Sequence, residues 1–316
     1  MPETKPQDAD QQIKKPAKKT GKNKAKALSA KDQPGELARF HAKYPAKTGS
    51  AHNASWSWVA AGSSSSTATL LLPPSPGFSG LLQELIDALA PKQRVIAPTY
   101  PAVTDSNHIV DSLAHICRTE GVKRLNVVGI GFGGVLAQLF AKRGAKYVNK
   151  MVLVNTSTPE AWPAPGDVMR YNSCRKAPAW LLRRIIAARL LRRAAPLTED
   201  RKRWRLLLRE CLAERQDKWE ILALQAAAFH ARQEAINQGG WTLTGYEGRI
   251  QIIESKEDHR LTEAQRTALK ASYPAAHVRK VPGAGYWLGC VEAPKLAGLL
   301  CAFLDSVNIV DRTPGN

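Results

Sequence analysis

Val127-Val128-Gly129-Ile130-Gly131-Phe132-Gly133-Gly134, running into Val135-Leu136-Ala137-Gln138-Leu139-Phe140-Ala141, decides the fold of this chain. The apolar run predicts a strand, the glycines a sharp turn, and the segment after them a helix. Gly129 and Gly133 stand at the outer positions of G-x-S-x-G, a strand-to-helix elbow whose central residue carries a catalytic nucleophile. Here the central residue is Gly131, which has no hydroxyl or thiol with which to attack a carbonyl. Gly129, Gly131 and Gly134 also satisfy G-x-G-x-x-G, a dinucleotide-binding turn. That reading needs an acid at the end of the next strand, and after Met151-Val152-Leu153-Val154-Asn155 none comes before Glu160. It also expects the turn on the first strand of its unit, whereas strands are predicted earlier, at residues 67–72 and 94–97. These surroundings favour the elbow. A reading without function is a glycine-rich turn that lets a helix pack closely on its strand.

Working outward, strands and helices alternate. Residues 56–60 predict a first strand, and Thr67-Ala68-Thr69-Leu70-Leu71-Leu72 a buried one that stops at Pro73-Pro74. Residues 78–90 predict a helix and Arg94-Val95-Ile96-Ala97 a strand. Residues 105–120 predict a second helix, with Ile109, Leu113 and Ile116 on one face. Short apolar strands at 125–128 and 151–154 are the mark of a parallel sheet covered on both faces. Strands at 249–254 and 277–281, with helices at 262–272 and 291–307, complete a doubly wound, mostly parallel α/β sheet. Residues from about 160 to 245 predict helices alone. One spans 178–193. Another is capped by Thr198 and buries Trp204, Leu207, Leu208, Cys211 and Leu212. The domain layout read from this is a disordered basic tail at 1–50, a first core segment at 51–159, a helical cap at 160–245 and a second core segment at 246–316.

The net charge of +19 is concentrated. Residues 1–50 carry about +7 and residues 169–215 about +10. Such charge attracts anionic partners: an acidic protein, an anionic membrane surface or nucleic acid. The ordered candidates for that surface are Arg183, Arg184, Arg192, Arg193, Arg201, Lys202, Arg203 and Arg205. Lys14-Lys15-Pro16-Ala17-Lys18-Lys19 could serve as a nuclear address or a polyanion contact. No aromatic residues interleave with the lysine runs of the basic tail at residues 5–31 to stack on bases, so nucleic-acid binding would be independent of sequence. Cys117, Cys174, Cys211, Cys290 and Cys301 are odd in number and show no paired metal spacing. They predict free thiols in the cytoplasm or another reducing compartment. No secretory leader and no run of about twenty apolar residues occurs, so no transmembrane segment is expected.

An acyl-transfer site needs a nucleophile, a base, an acid that orients the base, and oxyanion donors. With the elbow first, the acid and then the histidine should follow later strands. Asp258 stands where the acid is expected, although a loop Asp near a helix start reads equally well. The histidine should follow the last strand, where Pro282-Gly283-Ala284-Gly285-Tyr286-Trp287 carries Tyr286 instead. Tyrosine, with an ordinary pKa near 10, is a poor base at neutral pH. The prolines after residue 72 offer no N–H, but Ser75 and Phe132 retain theirs, so an oxyanion-type pocket could survive. The seven histidines have no metal spacing, and neither a metal nor a cofactor is expected.

These residues resemble the α/β-hydrolase fold, and within it the maspardin-like, non-catalytic branch. The likeness rests on Leu71-Leu72-Pro73-Pro74, on Arg94-Val95-Ile96-Ala97 with Tyr100-Pro101, and on Gly133-Gly134 with Leu136-Ala137-Gln138. Leu153-Val154-Asn155-Thr156-Ser157 and the stretch from Leu261-Thr262 to Tyr273-Pro274 extend it. Maspardin-type sequences keep a serine at the elbow, and this chain does not. Glycine at that position is similar to the N-myc downstream-regulated proteins, another non-enzymatic branch. The resemblance implies an adaptor or scaffold on intracellular membranes that binds a protein partner. Together with Gly131 and Tyr286, it sets the expectation of a catalytically inactive hydrolase fold. The alternative is a non-covalent enzyme or small-molecule receptor that uses the residual pocket.

Overall fold

The strand that ends at the elbow lies in the middle of a single sheet. The computed structural model describes residues 34–65, 67–144, 146–162, 171–194, 201–215, 217–283 and 285–306, without the side chains of residues 193, 194 and 286. Its strands are β1 (Ala46–Ala51), β2 (Ala54–Ala61), β3 (Thr67–Leu72), β4 (Val95–Thr99), β5 (Arg124–Ile130), β6 (Val148–Val154), β7 (Ile250–Ser255) and β8 (His277–Val281). They are ordered β1-β2-β4-β3-β5-β6-β7-β8. The β1–β2 and β2–β4 pairs are antiparallel and the others parallel. The expected mostly parallel α/β sheet is therefore present.

Helices cover both faces. They are α1 (Glu36–Lys43), α2 (Gln83–Leu89), α3 (Ser106–Thr119), α4 (Phe132–Arg143), α5 (Ala179–Ala194), α6 (Arg201–Ala213), α7 (Lys218–Asn237), α8 (Glu263–Ser272), α9 (Leu288–Val291) and α10 (Ala293–Leu304). Alternate residues of each central strand enter opposite cores. Leu71, Val128 and Val152 pack with Leu85 and Ile86 of α2 and with Leu296 and Leu300 of α10. Leu70, Leu72, Val127 and Met151 pack with Leu113 of α3 and Leu136 of α4. Burial on both sides is why these strands read as continuous apolar runs. Asp105 caps α3 through the N–H groups of Asn107 and His108, and Thr262 closes a capping box with Gln265 on α8. The cap predicted at Thr198 lies outside the described residues.

The predicted tail boundary at residue 50 is corrected by α1 and β1. Phe40 is buried in the core that holds Leu81 and Leu85, and the Leu37 N–H donates to Glu210 Oε2 at 2.8 Å. β1 is a polar edge strand, Ala-Lys-Thr-Gly-Ser-Ala, with only Ala51 buried. Its partner β2 and the carboxylate of Glu120 hold it in place. Glu120 accepts from Lys47 of β1 at 2.8 Å, from the Trp58 indole at 2.8 Å and from Arg94 at 2.8 Å. Burial pushes the Glu120 pKa up, but these donors outweigh it and leave the carboxyl below its usual range. Residues 1–33 lie outside the described residues.

The elbow requires backbone contact, and its glycines supply it. A Cβ on Gly133 would lie 2.2 Å from the Leu72 carbonyl oxygen, and one on Gly134 2.6 Å from Thr156 Cβ. Neither neighbour can swing away as a flexible side-chain tip could. By contrast, Gly298 lies exposed inside α10 with nothing within 4 Å of an added Cβ. Gly133→Ala is therefore expected to destabilise the fold by about 3 kcal/mol or more, beyond ordinary overpacking. Gly298→Ala is expected to stabilise it by about 0.5–1 kcal/mol. Urea unfolding of the two variants checks the pair, and equal midpoints would contradict the close approach.

Candidate functional site

β3 has β4 on one side and β5 on the other, so the chain reverses its direction of winding between them. Ligands of open α/β sheets bind outside the strand ends at such a switch point. Here the ends are Pro73-Pro74-Ser75 after β3 and Gly131-Phe132 after β5. Gly131 has φ +56° and ψ −120°, the left-handed side of backbone space that a residue with a Cβ enters only under strain. Its N–H donates to the Val154 carbonyl at 2.9 Å, and its carbonyl accepts from Thr156 Oγ1 at 2.7 Å. The elbow is fully formed, with hydrogen where a side chain would project.

Buried polar residues lock the neighbouring strand ends. Asn155, itself at φ +46°, donates through Nδ2 to the Gly285 carbonyl at 2.7 Å. Its Oδ1 accepts from the Ser255 N–H at 2.7 Å. One amide thus ties the end of β6 to the end of β7 and to the turn after β8. Behind the elbow, the Gln138 amide donates to the carbonyls of Gly134 and Ser157. The chain continues to Tyr273 and Trp241: the Tyr273 hydroxyl donates to Gln138 Oε1 at 2.9 Å and accepts from Trp241 Nε1 at 2.8 Å. Burial holds the Tyr273 phenol well above its ordinary pKa, so it stays a neutral donor.

Asp258 follows β7 and is 2 % exposed. Its Oδ1 accepts from the Arg260 N–H at 3.0 Å, and its Oδ2 has no hydrogen-bond partner. The Tyr286 backbone lies in the 3₁₀ turn Gly285–Trp287, and its side chain is outside the described residues.

Ser75 and Phe132 do come together. Both line a cavity of about 130 Å³ between the strand ends and the helical insertion. The residues around it include Trp162 and Tyr171, Ile186, Arg189 and Leu190 of α5, Leu224 and Gln225 of α7, Cys174 and Arg260. None of the described lining residues is a histidine, aspartate or glutamate. His230 is turned elsewhere, bonded to Ser106 Oγ at 3.0 Å beside Asp105 at the start of α3. Burial raises the thiol pKa of Cys290, Cys211 and Cys301 and pushes Cys117 up to about 12, so these four stay protonated at neutral pH. Among the described residues no group of three His, Cys, Asp or Glu could hold a metal ion.

The basic residues named from the sequence separate. Arg184, Arg192, Arg201, Lys202 and Arg205 are exposed. Arg203 is not part of an open surface: its guanidinium bridges Glu36 of α1 and Glu84 of α2. Arg183 is half-buried and donates to the Arg215 carbonyl at 3.0 Å. The Arg193 side chain lies outside the described residues. Sequence reading missed Arg189, Arg260, Trp162 and Tyr171, which it had no means of placing beside Phe132. No described helix is long and apolar enough to cross a membrane.

Residues 70–284 match the model of a family described as the alpha/beta hydrolase fold. Among solved structures, an enol-lactonase from Burkholderia xenovorans is similar at a TM-score of 0.66 and 16% identity, over 82% of this chain and 100% of that one. A hydrolase from Pseudomonas aeruginosa is similar at 0.63 and 17% identity, over 83% and 99%. A thermophilic esterase from Thermogutta terrifontis is similar at 0.62 and 16% identity, over 83% and 98%. At these identities the likeness concerns the fold alone. No curated protein sequence matches the chain.

The backbone at residue 131 yields a direct expectation. A Cβ there has to be held at positive φ, which costs about 1–3 kcal/mol. Gly131→Ser should lower the unfolding free energy by that amount in urea. An unchanged midpoint would show that the turn stores no strain.

Proposed function

The chain belongs to the alpha/beta hydrolase fold family, and from that premise we propose that it is a pseudoenzyme, a binding or scaffold protein that has lost covalent catalysis. The observation that carries this reading is the pairing of a formed elbow at Gly131 with a cavity whose described lining holds no His, Asp or Glu. Acyl transfer needs a nucleophile and a base within hydrogen-bond reach of it. Ser75, Tyr171 and Cys174 line the cavity, and among the described lining residues no His, Asp or Glu stands as a base to take their proton. Open α/β sheets bind their ligands at such a switch point, and here the central elbow residue, Gly131, has no reacting side-chain atom. The resemblance to maspardin-like proteins supports a protein partner.

The exposed cations of α5 and α6 form the second part of the proposal. They lie among large exposed apolar side chains, Trp180 and Ile185 on α5 and Leu206 on α6. Arginine with interfacial tryptophan suits an anionic surface, because the guanidinium engages phosphate while the indole enters the headgroup layer.

Incubation with a serine-directed fluorophosphonate is expected to leave the protein unlabelled. Stoichiometric labelling abolished by substitution of one Ser or Cys would overturn the pseudoenzyme reading. The Gly131→Ser, Tyr286→His double variant is expected to hydrolyse p-nitrophenyl esters faster than either single variant, since Asp258 Oδ2 remains without a partner to orient a new histidine. No gain over the single variants would contradict that remaining capacity.

Sedimentation with phosphatidylserine vesicles is expected to recover the full chain at low salt, with weaker recovery at physiological salt. Reversing Arg184, Arg192 and Arg205 to glutamate should lower it. Equal recovery with neutral vesicles, or an RNA gel shift without vesicle binding, would contradict the membrane-surface assignment.

A further inference from the structure

The chain has eight tryptophans, and six of them, Trp56, Trp58, Trp162, Trp204, Trp241 and Trp287, are buried at 6 % exposure or less. The other two are Trp180, 61 % exposed, and Trp219, 50 % exposed. Each is the second residue of a helix of the insertion, Trp180 of α5 and Trp219 of α7. Indole is usually drawn inside, so two rings left in water mark a surface with a use.

The beginnings of α5 and α7 lie side by side. Arg183, near the start of α5, donates through Nε to the Arg215 carbonyl at 3.0 Å, just before α7. Lys218 Nζ donates to the Arg175 carbonyl at 3.4 Å. The Arg175 guanidinium lies over the Trp219 ring, 5.7 Å from its centroid, and over the Tyr171 ring at 6.0 Å. Tyr171 in turn meets Phe229 of α7 edge-on at 5.2 Å. This ladder fixes Trp219 in place, and Lys218 Nζ lies 4.9 Å from the same ring centroid. On α5, the exposed Arg184 follows Trp180 by four residues and shares its helix face, with exposed Ile185 beside it. Residues 171–184 and 214–220 carry six Arg and Lys against three acids, Glu214, Asp217 and Glu220. Asp217 is engaged as the cap of α7, accepting from the Trp219 and Glu220 N–H groups at 2.7 and 2.8 Å.

We propose that this shared end of α5 and α7 docks on an anionic phospholipid bilayer, with Trp180 and Trp219 entering the headgroup layer and Arg175, Lys176, Arg184 and Lys218 meeting lipid phosphate. This inference rests on the membrane-surface assignment above and names the part of the chain that enters the lipid. Indole suits that depth because its apolar body leaves water while its N–H keeps a polar partner. The excess of cations beside it selects anionic over neutral lipid. Single-stranded nucleic acid is the competing polyanion, and it needs open ring faces on which to stack bases. Arg175 and Lys218 already stand over the Trp219 ring, so a base would have to displace them. Lipid headgroups can pack against the ring edge without doing so.

The test is the fluorescence of the full chain mixed with vesicles of phosphatidylserine and phosphatidylcholine, in which part of the phosphatidylcholine carries a bromine quencher high on its acyl chain. Because the other six rings are buried, quenching reports Trp180 and Trp219. Emission is expected to fall and shift to the blue at low salt, with little change on vesicles of phosphatidylcholine alone. Trp180→Phe and Trp219→Phe should each remove part of the quenching, and the double substitution nearly all of it. Trp180→Ala and Trp219→Ala should each weaken vesicle binding by about 10-fold, the worth of burying one large apolar side chain. The result on the unaltered chain stands even if a variant fails to fold. Sedimentation with phosphatidylserine vesicles without quenching would overturn this inference, because another face would then carry the contact, and would leave the membrane-surface assignment intact. Absence of sedimentation would overturn both. Quenching that survives the double substitution, or emission that responds to single-stranded RNA but not to vesicles, would also overturn it.

Discussion

The close approach of α4 to the ends of β3 and β5 is the constraint on which the remaining structure depends. Gly133 lies where a Cβ would strike the Leu72 carbonyl, and Gly134 where it would strike Thr156. Gly129 faces the same turn, 2.3 Å from the Gly133 carbonyl oxygen at its would-be Cβ. With the helix held that near, its N-terminus opens directly onto the switch point between β3 and β5. Ser75 and Phe132 then share one cavity with Trp162 of the loop after β6 and Arg260 of the loop after β7, and the turn after β8 is bonded to the end of β6. Asn155 joins those loops in a single buried amide, itself held at positive φ.

That architecture separates two properties that an active hydrolase combines. Positioning survives: the elbow, the helix N-terminus and the buried Asp258 are all present. Reactivity requires a nucleophilic atom with a base beside it, and the described walls of the cavity provide no His, Asp or Glu for that role. Glycine at the elbow also suits a binding protein physically, because it adopts positive φ without the strain that a catalytic serine carries. In place of a triad, the cavity holds two guanidinium groups and apolar walls.

The parallel core was legible because its strands are buried on both faces and read as unbroken apolar runs, as at residues 67–72 and 151–154. The elbow was legible because its glycines have fixed spacing. The ends of the chain's order were harder to see. In α1 only Phe40 is buried, and β1 is polar apart from its alanines and Gly49, so composition suggested a tail. Pairing with β2 and the shared carboxylate of Glu120 are tertiary facts with no local signature. The cavity cations were invisible for a related reason. Arg189 and Arg260 are distant in sequence, and only the fold brings both to the wall of one cavity. Arg203 shows the reverse, a residue counted as surface charge that joins α6 to α1 and α2.

The central claim is that this elbow supports binding without acyl transfer. The most direct measurement is intact-mass spectrometry of the unaltered chain during incubation with an activated ester such as p-nitrophenyl acetate, with nitrophenol release followed in parallel. The account predicts an unmodified mass and release at the rate of buffer alone. A burst of nitrophenol equal to the protein concentration, accompanied by a mass increase of one acetyl group at a cavity residue, would contradict it.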